Sequence, residues 1–542
     1  MTGPVTTALS GTTLLSGRSA RPASRRTVLR GAAAAGMLLA GGVPLSACGR
    51  QPVAASAGPT GPPRRGGRLR VGMVGAGKGE SFDPSLGANA LINTAMSCAV
   101  FDPLLTMGPD GRLRPMLATS WTSDSTASVW TFRLRKGVTW HDGKDFTAAD
   151  VQYTLNWMAK PGNGLALNVA DVDLDKVSTA GPYTIVIPLK NPNLLFPYSL
   201  ATGSIVQRGA EDFTRPVGTG PFTFVSLDPG QQAVCKRNPA YWDPGKPYLD
   251  ELVFLSVKDD FARLNALLSG QTDVMAQVPF TQAKSQLVGD VRLIRSPGVT
   301  AQAFYMATDK PPFDDVRVRR AIRLIVDREQ LVDVCLLGFG TVGNDLYGKG
   351  LTYYDGTLPQ RTRDLAKAKA LLAEAGHGRG LPLKLQTSSV VPGMVEAATL
   401  FQQQAKDAGV DVTISPVDPT SYFDPTRDYL KMPFAQTLWQ GMTTLGDVYN
   451  ASLVSKGPYN ETHWSDRRTD ELVATAVASP DAAAARAAWA AVQRQQYDSG
   501  GYVWWGNVDN LDAVSNRVGG LTPNRYQNLG LPTGLNEAYF AS

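Results

Sequence analysis

Four cysteines and three histidines in 542 residues leave little material for metal or nucleophile chemistry. His141, His377 and His463 lie far apart and none has a partner at ligand spacing, so spacing offers neither a metal centre nor a triad. There is no G-x-S-x-G elbow, no H-E-x-x-H and no C-x-x-C. These absences lower the case for an enzyme, and no catalytic residue, metal or cofactor is assigned. No stretch reaches the ~18 unbroken apolar residues that a spanning helix needs. A surplus of charge is missing too. The chain carries 53 Lys+Arg against 47 Asp+Glu, but Arg18, Arg21, Arg25, Arg26 and Arg30 fall in the first 48 residues, which hold no Asp, Glu or Lys. Subtracting those five from 53 leaves 48 against 47, a near-neutral body without the basic footprint of nucleic-acid binding. Cys98, Cys235 and Cys335 are odd in number and distant, which predicts buried unpaired thiols, with one pair still open in an oxidising compartment.

What is present begins with that N-terminus. Ser24 to Arg30 (SRRTVLR) resembles a twin-arginine export signature. A weakly apolar run, Gly31 to Ala47, leads to Leu45-Ser46-Ala47-Cys48, which resembles a bacterial lipobox. In that motif the Cys thiol takes a diacylglycerol and becomes the new N-terminus. Charge block, apolar run and lipobox stand in the order a targeting segment requires. Residues 1–48 are therefore read as an export signal and Cys48 as a lipid anchor. Each buried methylene contributes about 0.8 kcal/mol, so two or more acyl chains hold a protein that one would release. Residues 49–67, rich in Pro, Gly, Ala and Ser, read as a flexible tether.

The body of roughly 490 residues exceeds what one core usually organises. Arg68 to Val74 alternates as a strand, as does Trp130 to Leu134. Thr147, with Asp150 three residues on, predicts a capped helix start. Asp364 to Ala375 and Val395 to Ala408 read as helices ended by Gly376 and Gly409, and Val410 to Ile414 as the strand that follows. Asp481 to Tyr497 is a long Ala-rich helix. Strands and helices alternate throughout, so the class is α/β, or mixed α+β.

One stretch imitates a nucleotide site. Gly72 to Gly79 (GMVGAGKG) follows a strand, but Gly79 stands where a phosphate loop needs Ser or Thr, and Glu80 where a dinucleotide loop needs glycine. It reads as a flexible loop lining a cleft. Aromatics gather late, at Trp439, Tyr449, Trp464, Tyr502, Trp504 and Trp505. Core packing explains most tryptophans. Neighbours on a strand point to opposite faces, so one of Trp504 and Trp505 is expected to face a ligand pocket, where a flat ring with an N–H suits stacking.

An ordered series of blocks then carries a family resemblance: Ser81-Phe82-Asp83-Pro84, Phe101 to Leu105, Pro115 to Trp121, Trp130 to Val138, Trp140 to Gly143, Phe146 to Val151, Gly218 to Phe222, Arg237 to Trp242, Pro311 to Phe313, Val318 to Ile322, Asp327-Arg328 and Ala366 to Gly376. The chain resembles the large extracellular solute-binding proteins of ABC importers, the peptide- and nickel-type group. The resemblance implies a two-lobed clamp with an extra subdomain in the first lobe. It places lobe one at residues 68–100, 215–300 and 491–542, the subdomain at 101–214 and lobe two at 301–490. It implies a monomer at the outer face of the membrane that closes on a small solute and delivers it to an ABC permease and ATPase.

The same resemblance nominates Lys78 to Glu80 and the segment after a lobe-two Trp as cleft lining, here Trp439, Gln440 and Met442, with Asp447 beyond. Together with the aromatic pair, the expected ligand-binding residues are Lys78, Glu80, Trp439, Gln440, Met442, Asp447, Trp504 and Trp505. In peptide-binding members an acidic residue near that Trp pairs with the free amino group. Met442 stands in its place, and Asp447 fits only with a shifted alignment. A buried ammonium without a counter-charge is costly, so the departure disfavours peptides with a free N-terminus. The scarcity of histidine disfavours nickel or haem. A sugar, an aromatic compound or a modified peptide stays open. The competing functions are an extracellular hydrolase on the same scaffold and a sensor or adhesion lipoprotein without transport.

Overall fold

The computed structural model describes residues 58–541 apart from Thr60, Thr420, Pro425 and Thr426. The twin-arginine run, the lipobox with Cys48 and most of the tether lie outside the described residues.

Two large sheets organise the chain. The first has seven strands, in the spatial order Val291–Ser296, Asn510–Ser515, Val274–Met275, Arg68–Met73, Glu251–Ser256, Gln232–Arg237 and Phe222–Asp228. Arg68–Met73 sits near its middle, parallel to Glu251–Ser256 and to Val274–Met275. The second sheet has six strands, in the order Gly340–Val342, Tyr502–Val508, Ala301–Met306, Phe434–Trp439, Leu381–Thr387 and Val410–Pro416. All six residues of Ala301–Met306 are buried, as expected of a central strand covered on both faces. Phe304 and Met306 enter a core shared with the helices Val316–Ile325 and Met394–Lys406. Ala301, Ala303 and Tyr305 enter the opposite core, with Trp489, Tyr449 and Trp504. The period of two along the strand divides these cores.

A third, four-stranded sheet, in the order Ala118–Ser123, Val129–Leu134, Thr184–Pro188 and Ser178–Thr179, carries the helix Ala148–Met158. Trp130, Phe132 and Leu134 point inward and are buried. At the helix start the Thr147 amide donates to Asp150 Oδ2 at 2.8 Å, one half of the reciprocal cap read from the sequence. The helix Leu365–Glu374 starts at an Asp364 cap, and Gly376 and Gly409 adopt positive φ just beyond their helices, the conformation glycine tolerates best.

The chain crosses between the two large sheets after Ser296 and after Val508. A β-carbon on Gly298 would stand 2.0 Å from the Val508 carbonyl oxygen, so only glycine lets the crossings lie this close. Arg295 Nε binds Asp509 Oδ2 at 2.5 Å across them. One expected boundary is corrected here. Tyr502–Val508 pairs antiparallel with Ala301–Met306, so it belongs to the second sheet and not to the first, where a boundary at 490/491 would put it. The return comes only with Asn510–Ser515, paired to Val291–Ser296. The preceding helix, Ala482–Ser499, also packs Trp489 and Val492 into the second lobe's core.

Buried arginines brace this lobe. Arg323, fully buried, donates to the carbonyls of Tyr502 and Tyr497 at 3.0 Å and of Gln496 at 3.2 Å, and to Gly500. It thereby covers the open C-terminal carbonyls of Ala482–Ser499. Burial draws its guanidinium down to about 9. Cys98, Cys235 and Cys335 are all free thiols, and burial pushes Cys98 and Cys335 up to about 12. No helix among the described residues is long and apolar enough to cross a membrane.

Candidate ligand cleft

Between the two sheets lies a cavity, the candidate ligand site. The helix Leu91–Val100 contributes Thr94 and Cys98, and the following connection contributes Pro103 and Met107. Ala201, Thr202 and Ser204 come from the subdomain side, Val299 from the first crossing, and Gly441 and Thr443 from the loop after Phe434–Trp439. Asn524, Tyr526, Gln527, Leu531 and Pro532 close the wall from the C-terminal segment. Elements of both lobes thus face one space. The lobes also touch beside it: the Leu194 amide donates to the Val477 carbonyl at 3.3 Å, and the Tyr198 and Thr352 hydroxyls meet at 3.4 Å.

The wall is held from behind. Asn524 takes a hydrogen bond from the Tyr526 amide at 2.9 Å and gives one to the Leu531 carbonyl at 3.0 Å, which fixes its own loop. Asp102, next to Pro103, is buried and accepts from Trp242 Nε1 at 2.8 Å and from Thr219 and Tyr241 hydroxyls at 3.0 Å. Burial pushes its carboxyl up to about 6, although these donors and Arg135 pull the other way.

Of the eight nominated residues, none lines this cavity. Lys78 is exposed on the short turn Gly77–Gly79. Glu80 is buried and inward, accepting from Ser256 Oγ at 2.5 Å, the Gly230 amide at 2.8 Å and the Ala76 amide at 3.1 Å. The glycine loop reads as a cleft lining in sequence, but this carboxylate ties it back to the first sheet instead. Gln440 is exposed and Met442 half-buried on either side of Gly441. Asp447 accepts from the Thr444 amide at 2.9 Å while its own amide donates to Thr444 Oγ1 at 3.1 Å, capping Leu445–Ser452. It lines a second cavity, between Asp171 and Asn193 of the subdomain and Asn450. Trp504 and Trp505 do point to opposite faces, but each enters a core. Trp504 stacks on Tyr502, ring centres 4.8 Å apart, and Trp505 packs on the helical side with no exposure. Both faces of this strand are covered, so neither tryptophan opens to a pocket.

The residue the sequence did not reveal is Glu461. It is wholly buried and accepts from Thr437 Oγ1 at 2.6 Å, Tyr502 Oη at 2.7 Å, Trp439 Nε1 at 3.3 Å and Tyr429 Oη. Burial raises its pKa while the four donors lower it. Through Trp439 it holds the strand end from which Gly441 and Thr443 reach the cavity. The only sequence signal was the shared face of Thr437 and Trp439, two apart on one strand. Nothing around Asn460-Glu461-Thr462 marks a partner for them. Two of the three histidines do structural work: His141 Nε2 meets the Gly220 carbonyl at 3.0 Å and the Gly218 amide donates to its Nδ1 at 3.3 Å. His463 Nδ1 meets Asp309 at 2.7 Å. Among the described residues, no group of three or more His, Cys, Asp or Glu could hold a metal ion.

Comparison with known proteins agrees with this architecture. The glutathione-binding protein GsiB of Pectobacterium atrosepticum is 29% identical over 347 residues, 62% of this chain and 67% of that protein. The substrate-binding protein CtaP of Listeria monocytogenes superposes with a TM-score of 0.78 at 22% identity, covering 88% of this chain and 100% of that one. The binding protein AgaA of A. tumefaciens R10, solved with agropinic acid, gives 0.70 at 25% identity, covering 88% and 99%. Profile matching assigns residues 112–461 to "bacterial extracellular solute-binding proteins, family 5 Middle". That span is well over half the chain and includes Trp439 and Glu461: the protein belongs to the family 5 bacterial extracellular solute-binding proteins.

Proposed function

We propose that this chain is an exported, lipid-anchored receptor that closes on a small solute and hands it to the permease of an ABC importer. The carrying observation is the cavity itself: its walls come from both lobes, and among the described residues two short crossings, packed on Gly298, join the lobes. A solute there contacts both lobes at once, a gain the open form cannot match, so binding favours closure. The relatives support the reading. GsiB is named for glutathione and AgaA holds agropinic acid, which shows one scaffold adapted to different small solutes. The cavity wall carries no nucleophile–base pair, and its one thiol, Cys98, is held protonated by burial. The chain accordingly binds its solute without breaking a bond in it. Cys48 serves as the anchor and the twin-arginine run as the export address.

A solute present at 100 times its Kd stabilises the folded state by about 2.7 kcal/mol. The expected result is a rise in Tm together with compaction in solution scattering for one member of a panel of peptides, sugars and chelates. Conversion of that solute during long incubation with excess protein would replace the receptor by an enzyme. Radiolabelled glycerol or palmitate should enter the full-length protein in cells and be lost in Cys48→Ser.

A further inference from the structure

We propose, building on the receptor reading, that the cavity selects an uncharged amphiphilic solute, and that an end-blocked or cyclic short peptide is the class it fits. None of the described residues lining the cavity is Asp, Glu, Lys, Arg or His. The nearby carboxylates are engaged elsewhere. Asp102 is saturated by Trp242, Thr219 and Tyr241, Glu461 by its four donors, and Asp447 caps its own helix beside the other cavity. Arg525, beside the wall, is turned to the Gly350 carbonyl at 3.0 Å, so an ammonium or carboxylate entering this space would lose water without gaining a counter-charge from the lining, which is strongly unfavourable.

What the wall offers suits amides. Gln527 can donate and accept, and Thr94, whose hydroxyl donates to the Gly87 carbonyl at 2.7 Å, can still accept, as a peptide C=O and N–H require. Met107, Val299 and Leu531 cover apolar side chains. A sugar, with a hydroxyl on nearly every carbon, needs a denser polar wall and flat rings to stack on, and among the described residues Tyr526 is the only aromatic one lining this cavity.

The test pits charge against neutrality on otherwise identical probes. Synthetic peptides of two to five residues with free ends are mixed with the same peptides N-acetylated and C-amidated, and with cyclic dipeptides. The full-length protein is incubated with the mixture and desalted, and retained species are identified by native mass spectrometry. Retention should favour the neutral forms by at least about 50-fold. Free-ended peptides retained equally or better overturn the proposal, and so does retention of none of the probes. A second arm moves the wall's charge. Gly441 has φ +74° and open space at its β-carbon position, so Gly441→Asp and Gly441→Asn share one backbone strain and differ in charge. Gly441→Asp should retain free-amine peptides at least about fivefold better than Gly441→Asn; equal retention overturns the charge argument. The underlying reading fails separately. A charged solute carried by protein purified from its native host removes the neutral class and leaves the receptor, whereas no Tm shift with any solute removes both.

Discussion

Asp345 and Glu461 are both carboxylates of the second lobe with almost no solvent contact, 2% and 0% exposed, yet they are accommodated in opposite ways. Asp345 is surrounded by cations: Arg328 Nη2 at 2.5 Å, Arg361 Nε at 2.6 Å and Arg323 Nε at 4.0 Å. Glu461 has no cation among its hydrogen-bonding partners, only two phenols, a hydroxyl and an indole. The first arrangement ties the end of one helix, at Arg323, and the start of the next, at Arg328, to the loop that carries Arg361. The second aligns side chains along one sheet face, next to the cavity wall. Formal charge is used where the fold is braced, and neutral dipoles where the site is positioned.

The difference is sharpest when an anion is removed. Asp345→Ala leaves Arg323 and Arg328 buried beside Arg361 with no counter-ion, and should cost about 3–5 kcal/mol, read as a fall in denaturant midpoint at unchanged m. Glu461→Gln leaves no excess charge. It turns an amide NH2 toward donors that need an acceptor, and should cost about 1–3 kcal/mol. If Glu461→Gln proves the more damaging, the dipole cage is not the milder solution proposed here.

Proton linkage offers a second way to separate such sites. Desolvation raises Asp102 to about 6, above the roughly 3.9 of an unfolded chain. The folded state therefore holds its proton more tightly, so this contribution to stability is complete below about pH 4 and is lost as pH rises through about 6. The swing is on the order of 2–3 kcal/mol. Asp102→Asn should remove it: the stability difference between wild type and variant, measured by denaturant melts from pH 4 to pH 7, should move by that amount against the wild type. Glu461 shifts in the same direction from desolvation, so Glu461→Gln should show a change of the same sign. A flat difference for either variant would mean that its donors cancel the desolvation.

The cage can also be taken apart one donor at a time. Tyr502→Phe deletes a 2.7 Å hydrogen bond to a carboxylate and should cost about 1.5–3 kcal/mol; Trp439→Phe deletes one at 3.3 Å and should cost about 1 kcal/mol or less from that bond. Trp439→Phe should weaken solute binding more than stability if Trp439 positions Gly441 and Thr443. Equal losses would make it a core residue only.

Periodicity and caps made the class and most elements legible: the cap at Thr147, the stops at Gly376 and Gly409 and the alternation of Trp130, Phe132 and Leu134 are local signals, and they stand where local physics puts them. The boundary at 490/491 failed because Tyr502–Val508 carries no mark of which sheet it joins. A largely apolar strand fits any buried position, and only its pairing with Ala301–Met306 decides. The site was legible as a segment, the loop after Trp439, but not residue by residue. Gly441 and Thr443 face the cavity while Gln440 and Met442 between and beside them were nominated. Side-chain direction in a loop has no period to read, and a buried acid such as Glu461 is defined by donors from distant strands.

The smallest effect belongs to the loop that imitates a nucleotide site. Lys78 is exposed, with open space at the neighbouring Gly77 and Gly79, and Lys78→Ala should change stability by no more than about 0.5 kcal/mol. Glu80, two residues on, holds that loop through three donors, and Glu80→Gln should cost about 1–3 kcal/mol. The pair repeats at small scale the contrast between bracing and positioning: one charge is bound into the fold and the other is free to meet a ligand or nothing. Isothermal titration with the solute that raises Tm decides which. Unchanged affinity in Lys78→Ala leaves the loop as structure, whereas a tenfold loss at unaltered stability would extend the binding surface from the cavity to the end of the first strand and bring a cation back to the site.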